Sequence, residues 1–327
     1  MKVLVTGAHG FLGSHLVERL VAEGADVRAL VSPWGTLGNL AGVADKIDIA
    51  RADITDMGSL RGVCDGVAVI YHAAARVADY GPAEPFYRAN VMGTENLLRE
   101  GERAGSKRLV LVSSVAVHRY SGFQDADPRA LPRDSQINAY ARSKIAAEDT
   151  LKLAGLETVI VRPGLWPFGP RDPTFARIVQ ALVKGQLLLV DGGKAVINTA
   201  YCENLVEGLV LAGTVPQAAG KTYVIADKGA LSWKTLFTKL ARLLGAQPPR
   251  VSLPGWLSET TGNAVEQAYS VFAPKLEPPL TRYRGTLMRR DIHFSLDAAE
   301  AELGYRPPVS WQDGLARSVD ALKRTTP

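Results

Sequence analysis

The feature that most constrains the fold is a run of glycines near the start of the chain. Thr6-Gly7-Ala-His-Gly10-Phe-Leu-Gly13 follows an apolar segment at 2–6 and precedes an amphipathic one at 11–23. Glycines spaced in this way permit positive φ, close approach of the backbone to a pyrophosphate and tight packing of a helix on a strand. The helix N-terminus would add free N–H groups and a partial positive charge. The run therefore predicts a dinucleotide-binding strand–loop–helix unit, with the cofactor at Gly7, Gly10, Phe11, Leu12 and Gly13.

Short β-branched segments alternate with longer helical patterns as far as residue 162. The predicted strands are 27–31, 47–50, 67–72, 109–112 and 158–162, and predicted helices include 86–105 and 140–154. This alternation predicts an α/β fold, a Rossmann-type doubly wound parallel sheet. Proline and glycine then crowd together and the alternation is lost. We therefore predict an NAD(P)-binding domain at 1–164, with segments near 197–215 as candidates to return to it, and a smaller, less regular, mainly substrate-binding portion at 165–327.

Charge and cysteine content exclude several classes of protein. The chain of 327 residues has 38 Lys and Arg against 33 Asp and Glu, and these charges are scattered, so no nucleic-acid partner is expected. The two cysteines, Cys64 and Cys202, lack the spacing of metal ligands, which argues against a disulfide framework and a metal site. No segment resembles the core of a signal peptide or is long enough to cross a bilayer. A cytoplasmic location is predicted.

The end of the second predicted strand bears on the choice of nucleotide. NAD-binding units usually carry an acidic residue there, which holds the ribose hydroxyls. Here the strand ends Leu-Val31-Ser32, and Asp26 lies at its opposite end. Ser32 could hydrogen-bond a 2′-phosphate that a carboxylate would repel. This favours NADP(H) over NAD(H), although no arginine follows Val31 to strengthen the case.

The segment after the third predicted strand offers contacts for adenine. Asp53 could accept a hydrogen bond from the adenine amino group, and Ile54 could lie against the ring. The alternative is that an aspartate here caps the N-terminus of the next helix. For Asp56 the capping role and the cofactor role are equally well supported. For Asp53 the capping role is the weaker of the two.

Tyr140 and Lys144 are one helical turn apart, so the phenol and the ammonium are expected on one face of a helix. A neighbouring cation lowers the cost of forming a phenolate. The spacing alone is common in helices and is equally typical of a half-buried tyrosine and a solvated lysine. Its position behind a nucleotide-binding loop favours a catalytic role.

These residues resemble the extended short-chain dehydrogenase/reductases over nearly the whole chain. The resemblance rests on the glycine run and on an ordered series of motifs, which are Tyr71-His72-Ala-Ala-Ala75, Asn90-Val-x-Gly93-Thr94, Ser113-Ser114, Tyr140-x-x-x-Lys144 and Arg162-Pro163. Looser matches at 27–31, 220–223, 279–284 and 294–307 resemble the branch that contains 3β-hydroxysteroid dehydrogenases, dihydroflavonol reductases and 2-alkyl-3-oxoalkanoate reductases.

The resemblance implies roles for particular residues. Ser114, Tyr140 and Lys144 would be catalytic, and further cofactor contacts would come from Ala73, Ala74, Ala75, Asn90 and Pro163. Tyr140 would act as general acid or base, with its pKa lowered by Lys144 and the oxidised nicotinamide. Ser114 would hydrogen-bond the carbonyl oxygen. His118 stands where an aromatic residue is usual, and it is expected to be solvent-facing or simply hydrogen-bonded rather than catalytic.

The substrate side is less readable. Trp256, Leu257, Tyr269, Val271 and Phe272 are candidates for an apolar lid over a small lipophilic substrate, with core or dimer packing as an equal alternative. An amphipathic segment here is also compatible with peripheral contact to a membrane. Four late arginines are candidates for a substrate carboxylate or phosphate, or form a solvated basic face: Arg282, Arg284, Arg289 and Arg290.

The sequence therefore predicts an NADP(H)-dependent oxidoreductase that interconverts a secondary alcohol and a ketone on a steroid-like or β-keto acid substrate, as a homodimer. The alternative is a nucleotide-sugar epimerase or dehydratase with retained cofactor. Against it, the region after Pro163 lacks the asparagine common in sugar-nucleotide members. A non-catalytic nucleotide sensor would not need Ser114, Tyr140 and Lys144 together.

Overall fold

Apolar, β-branched segments form the strands. In this computed structural model, which describes residues 1–272, 278 and 281–325, the strands of the first half are β1 (Lys2–Thr6), β2 (Asp26–Val31), β3 (Asp48–Arg51), β4 (Val69–His72), β5 (Arg108–Val112), β6 (Phe123–Ala126) and β7 (Glu157–Pro163). The second half contributes β8 (Trp166–Phe168), β9 (Leu189–Val190), β10 (Val196–Ile197), β11 (Thr199–Tyr201), β12 (Thr222–Ile225), β13 (Leu231–Ser232), β14 (Ser252–Leu253) and β15 (Ile292–Phe294).

Helices separate most of these strands. They are α1 (Phe11–Ala22), α2 (Met57–Leu60), α3 (Ala83–Tyr87), α4 (Gly93–Arg103), α5 (Ala139–Thr150), α6 (Pro173–Val183), α7 (Cys202–Thr214), α8 (Trp233–Leu244), α9 (Gly255–Phe272), α10 (Arg282–Arg289), α11 (Asp297–Leu303) and α12 (Trp311–Thr325). A π-helical segment, Arg88–Met92, joins α3 directly to α4.

The central sheet has seven strands in the order β12-β7-β5-β4-β1-β2-β3, and every neighbouring pair in it is parallel. One face packs against α1 and α7 through residues such as Leu16 and Leu205. The other face packs against α4 and α5 through residues such as Leu97 and Ala147. This confirms the predicted doubly wound α/β fold. The chain reverses direction across the sheet between β1 and β4, so the crevice for a ligand opens beyond the carboxyl ends of these two strands.

The two halves of the chain exchange elements. The central sheet takes β12 from beyond residue 165, and α7 packs on it. A four-stranded sheet in the order β13-β10-β15-β6 takes β6 from the first half, where Phe123 pairs with Ile292. The division into a nucleotide-binding and a substrate-binding portion remains a prediction.

The described ranges contain neither a membrane-spanning helix nor a metal centre. No helix of residues 1–272 or 281–325 is both long and apolar enough to cross a membrane. The same residues contain no group of three or more His, Cys, Asp or Glu side chains arranged to hold a metal ion.

Candidate active site

The glycine run forms the loop between β1 and α1, as the sequence predicts. Gly7 has φ +63°, and a Cβ there would lie 2.8 Å from Ala74 Cα, so a larger residue would be both strained and obstructed. Gly10 caps α1 without a side-chain hydrogen bond, and the first turn of α1 carries no acidic residue. The helix N-terminus is thus open to an anion. The geometry fits the diphosphate of a dinucleotide.

A buried polar chain fixes the loop after β4 beside the glycine run. Thr6 Oγ1 lies 2.8 Å from His72 Nδ1, and His72 Nε2 lies 3.0 Å from Thr94 Oγ1. Thr6 Oγ1 also accepts the Ala74 N–H at 3.1 Å. Burial lowers the pKa of His72 to about 3, with a smaller effect from the Lys144 charge. The imidazole is therefore neutral and can donate from one nitrogen while accepting at the other.

Asn90 connects this loop to the helix that carries Tyr140. Its Oδ1 accepts the Arg76 N–H at 2.8 Å, while its Nδ2 donates to the Arg76 carbonyl at 3.0 Å and to Ser143 Oγ at 2.8 Å. Ser143 Oγ in turn donates to the Tyr140 carbonyl at 2.8 Å. Asn90 lies in the π-helical segment, a distortion often found at functional sites. Its side chain therefore positions two active-site elements at once.

Ser114, Tyr140 and Lys144 come together at the carboxyl edge of the sheet. Ser114 follows β5, and its hydroxyl is close enough to the Tyr140 phenol to lower the pKa of Tyr140. Asn138 caps α5 by accepting the Ala141 N–H at 2.8 Å. One turn beyond Tyr140, the buried Lys144 Nζ donates to the Val112 carbonyl at 2.7 Å. The predicted catalytic residues thus lie at one place, although their roles remain predictions.

Burial shifts the pKa values of Tyr140 and Lys144 in opposite directions. It raises the pKa of Tyr140, and the neighbouring Ser114 hydroxyl offsets this only in part. Burial lowers the pKa of Lys144 to about 8, against the charge of Glu148, which raises it. The Lys144 ammonium is turned to the Val112 carbonyl. The expectation that Lys144 and the oxidised nicotinamide together lower the pKa of Tyr140 stays a prediction.

A buried ion pair lies behind Ser114 and Lys144. Glu148 accepts from Ser113 Oγ at 2.6 Å, and from Arg162 Nε and Nη2 at 2.8 and 2.6 Å. Arg133 Nη1 donates to the same carboxylate at 3.0 Å. Burial alone would raise the pKa of Glu148, but the Arg162 and Ser113 hydrogen bonds and the Arg162 and Arg133 charges hold it below its ordinary value. The sequence analysis missed Glu148, although it lies one turn beyond Lys144.

His118 belongs to the same network. It is fully buried, with Nδ1 3.1 Å from the Pro132 carbonyl and Nε2 2.9 Å from Arg162 Nη1. Burial and the Arg162 charge lower its pKa to about 4. The solvent-facing alternative is wrong, and the hydrogen-bonded one is correct.

The end of β2 lies beside an arginine that was not predicted from the sequence. Arg51 ends β3 directly beside Val31, and its Nη1 donates to the carbonyls of Ser32 at 3.2 Å and Gly35 at 3.1 Å. His9 Nε2 lies 3.5 Å from Ser32 Oγ, and its buried Nδ1 has no hydrogen-bond partner among the described residues. The pairing of β2 with β3 thus places the positive charge of Arg51 beside Val31, although no arginine directly follows Val31 in the sequence.

The segment after β3 is partly used by local structure. Asp53 Oδ1 accepts from Thr55 N and Oγ1 at 2.9 and 3.0 Å, and Asp56 caps α2 by accepting the Gly58 N–H at 2.9 Å. The capping alternative is therefore correct for Asp56. Ile54 packs so closely on Gly93 that a Cβ there would lie 2.7 Å from Ile54 Cδ1. The adenine contacts of Asp53 and Ile54 stay predictions.

Every predicted cofactor residue outside the helices follows or ends a strand of the central sheet. Since those strands are parallel, the residues share its carboxyl edge. The glycine run follows β1, Ser32 follows β2, Asp53 and Ile54 come after β3, residues 73–75 follow β4, and Pro163 ends β7.

On the substrate side, the predicted lid residues are not core. Trp256, Leu257 and Phe272 on α9 are exposed, and Tyr269 is half-buried. The side chain of Val271, and Pro279 and Leu280 of the late motif, lie outside the described residues. Two further tyrosines, Tyr120 and Tyr283, lie next to each other, with ring centroids 6.1 Å apart.

The late arginines make contacts within the protein, and their role toward a substrate stays a prediction. Arg282 Nη2 donates to the carbonyls of Gln136 and Ile137 at 3.2 and 3.0 Å. Arg284 Nε lies 2.6 Å from Asp79 Oδ2. Arg289 pairs with Asp191 at 3.8 Å, and Arg290 also has a contact within the protein. These contacts hold α10 to the loop before α5 and to the loop after β4, and so connect the two halves of the chain.

Comparisons with known proteins agree with this geometry. The chain is 29% identical over 334 residues to 4-hydroxy-2-methyl-3-oxo-4-farnesyl-3,4-dihydroquinoline-1-oxide ketoreductase of Stigmatella aurantiaca, covering 100% of this chain and 97% of the relative. It is 30% identical over 331 residues to 2-alkyl-3-oxoalkanoate reductase of Stenotrophomonas maltophilia, covering 97% and 98%. A dTDP-glucose 4,6-dehydratase from Streptomyces venezuelae, solved with NAD bound, superposes with a TM-score of 0.78 at 28% identity, covering 99% and 98%.

The model of the NAD dependent epimerase/dehydratase family matches residues 3–226, which include the glycine run, Ser114, Tyr140 and Lys144. The two named relatives are a ketoreductase and a reductase, and this chain aligns with almost their full length. The chain is therefore an oxidoreductase that belongs to the NAD dependent epimerase/dehydratase family, within its extended short-chain dehydrogenase/reductase branch.

Proposed function

We propose that the protein interconverts a secondary alcohol and a ketone on a lipophilic substrate, with NADP(H) as cofactor. The observation that carries the proposal is the meeting of Ser114, Tyr140 and Lys144 at the edge of the sheet where the glycine loop also opens. A homodimer and a cytoplasmic location stay predictions from the sequence.

The hydroxyls of Ser114 and Tyr140 would hold the ketone oxygen between them. Tyr140 gives its phenolic proton to this oxygen as negative charge develops, and takes the proton back in the direction of oxidation. The hydrogen bond from Ser114 stabilises that charge, with about 2–4 kcal/mol expected for a donor of this kind. When bound, the nicotinamide supplies or accepts the hydride. The side-chain hydrogen bonds of Asn90 and Asn138 fix the position of α5 and of the loop after β4 for this step.

The preference for NADP(H) is supported by Ser32, Arg51 and His9. These side chains surround the end of β2, where a ribose 2′-phosphate would lie, and none is acidic. Arg51 has only Nη1 committed to loop carbonyls within the described residues, so its remaining N–H groups can bind an anion. A charge-assisted hydrogen bond of this kind contributes roughly 1.5–3 kcal/mol.

A lipophilic substrate is supported by the segment after Pro163. Leu165 and Trp166 are buried there and join an aromatic cluster with Phe168, Phe175 and Trp233. The side chains of Leu165, Phe168 and Phe175 offer no hydrogen-bond partners to the hydroxyls of a sugar. The relatives named as reductases of a farnesyl quinoline oxide and of alkyl oxoalkanoates support the same choice.

The proposal is tested by following NADPH oxidation with sterol ketones, β-keto acids and nucleotide sugars. We expect turnover with one of the first two, and loss of turnover in Tyr140→Phe with NADPH affinity retained. Tyr87→Phe, at an exposed tyrosine, is the matched control. Conversion of a nucleotide sugar without net NADPH consumption would instead establish an epimerase or dehydratase.

The cofactor preference has its own test. Arg51→Ala should lower the ratio of kcat/KM for NADPH to that for NADH by roughly 10–100-fold, which corresponds to about 1.5–3 kcal/mol. The exposed Arg61 provides the control variant Arg61→Ala. A wild-type enzyme that uses NADH as well as NADPH would defeat the preference.

A further inference from the structure

Arg76 occupies a fixed position in the loop between β4 and α3. Its N–H and its carbonyl are both bound by the side chain of the buried Asn90, at 2.8 and 3.0 Å. The backbone of Arg76 is thus tied to the residue that also reaches Ser143 on α5. The place of Arg76 relative to Tyr140 is therefore set by the fold and does not depend on its own side chain.

The guanidinium of Arg76 lies over the ring of Phe86. The guanidinium carbon lies 5.2 Å from the centre of the Phe86 ring, a cation–π distance. Phe86 is buried, and its ring centre is 6.4 Å from that of Tyr140. The guanidinium is therefore no more than about 12 Å from the Tyr140 ring. Stacking on Phe86 restricts the side chain to this side of the loop.

The charge of Arg76 has no counter-ion among the described residues. The other charged groups here are paired, since Asp79 binds Arg284 at 2.6 Å and Glu84 lies 3.7 Å from Arg88. Arg282 is bound to backbone carbonyls. Arg76 is also exposed, so a ligand can reach it. It contributes a positive charge within about 12 Å of the Tyr140 ring.

We propose that Arg76 binds a carboxylate of the substrate, and that the substrate is a β-keto acid or the corresponding β-hydroxy acid. This rests on the proposed function, because it takes Tyr140 as the proton donor to the ketone. In a β-keto acid the bond lengths are near 1.5 Å, so the ketone oxygen and the carboxylate lie about 3 Å apart. Hydrogen bonds of about 2.8 Å, from Tyr140 to the ketone oxygen and from Arg76 to the carboxylate, bridge much of the remaining distance between these two residues. The carboxylate is unchanged in the reaction, in which ketone, NADPH and a proton give alcohol and NADP⁺.

The test compares a 3-oxo fatty acid, freshly prepared from its ester, with the methyl ester of the same chain. Wild type should favour the acid. Arg76→Ala should raise KM for the acid by roughly 10–100-fold, the loss of a charge-assisted pair, with kcat and the ester kinetics little changed. Arg76→Lys should keep part of the preference, and added salt should weaken it. Arg88→Ala, an exposed arginine of the neighbouring segment, should leave both substrates unaffected.

Other outcomes separate the two proposals. Equal losses for acid and ester in Arg76→Ala would make Arg76 a structural residue of the loop and would overturn the inference. Reduction of sterol ketones but not of the acid would also overturn it, while leaving the proposed function intact. Absence of NADPH oxidation with every ketone would mean that the proposed function itself has failed. Thermal unfolding of each variant verifies that it is folded.

Discussion

Replacing Glu148 by glutamine tests whether the buried ion pair holds the active-site framework together. The Glu148 side chain is 1% exposed and that of Arg162 is 4% exposed. The carboxylate accepts hydrogen bonds from Arg162 Nε and Nη2, from Ser113 Oγ and from Arg133 Nη1. Glutamine keeps the shape but removes the charge, and its NH₂ group would face donors. The Arg162 guanidinium would then be buried without a counter-charge.

Loss of one partner from a buried pair costs about 3–5 kcal/mol, far more than the net contribution of the intact pair. We expect Glu148→Gln to lower the free energy of unfolding by this amount. A surface pair provides the comparison, because Arg19 and Glu23 are both more than a third exposed. Glu23→Gln should cost less than about 1 kcal/mol. Adding Arg162→Met to Glu148→Gln should recover part of the loss, since the uncompensated charge is removed.

Urea unfolding of the four proteins measures these differences. The pH dependence provides a second readout, because the pKa of Glu148 in the folded protein lies below its ordinary value of 4.5. The stabilisation by Glu148 is present above the pKa of the unfolded chain and is lost as pH falls through the lower folded pKa. The gap between wild type and Glu148→Gln should therefore shrink in acid. A cost below about 1 kcal/mol at pH 7, or a gap that widens in acid, would refute the reasoning.

Three further predictions follow from the site. Burial lowers the pKa of Lys144 to about 8. The free energy of unfolding of wild type should therefore increase as pH rises from about 8 to 10.5. Lys144→Met should lose turnover, measured by kinetics, and should lose this pH-dependent gain in stability, measured by Tm against pH. Gly13→Ala would direct a Cβ into the Gly7 carbonyl and should weaken NADPH binding at least tenfold by fluorescence titration, whereas Gly38→Ala, with open space around it, should not. Arg282→Ala should release α10 from Ile137 and raise KM for the substrate, with the Kd for NADPH unchanged.

The sequence predicted those parts of the site that depend on local order along the chain. A glycine loop after a buried strand, and a tyrosine and a lysine one turn apart, carry their geometry within a few residues. The structure places them at one edge of a doubly wound sheet, as expected.

The parts that the sequence did not reveal depend on contacts between distant segments. Arg51 lies beside Ser32 only because β2 and β3 pair in that register. The burial of His118 follows from its contact with Arg162, far along the chain. The contacts of Arg282 and Arg284 were not predicted, because their partners in the preceding loops cannot be identified from spacing. Periodicity indicates which face of an element is apolar, but it does not identify the neighbour across the sheet.

The exchange of β6 and β12 between the two halves has a consequence for motion. Because β6 pairs with β15 and β12 pairs with β7, the polypeptide passes between the halves at several points, and no single linker could serve as a hinge. A wide opening would require several connections to bend together and two sheets to lose a strand. We therefore expect substrate to enter by local displacement of α9 and α10, while the nucleotide crevice keeps its shape throughout the turnover cycle.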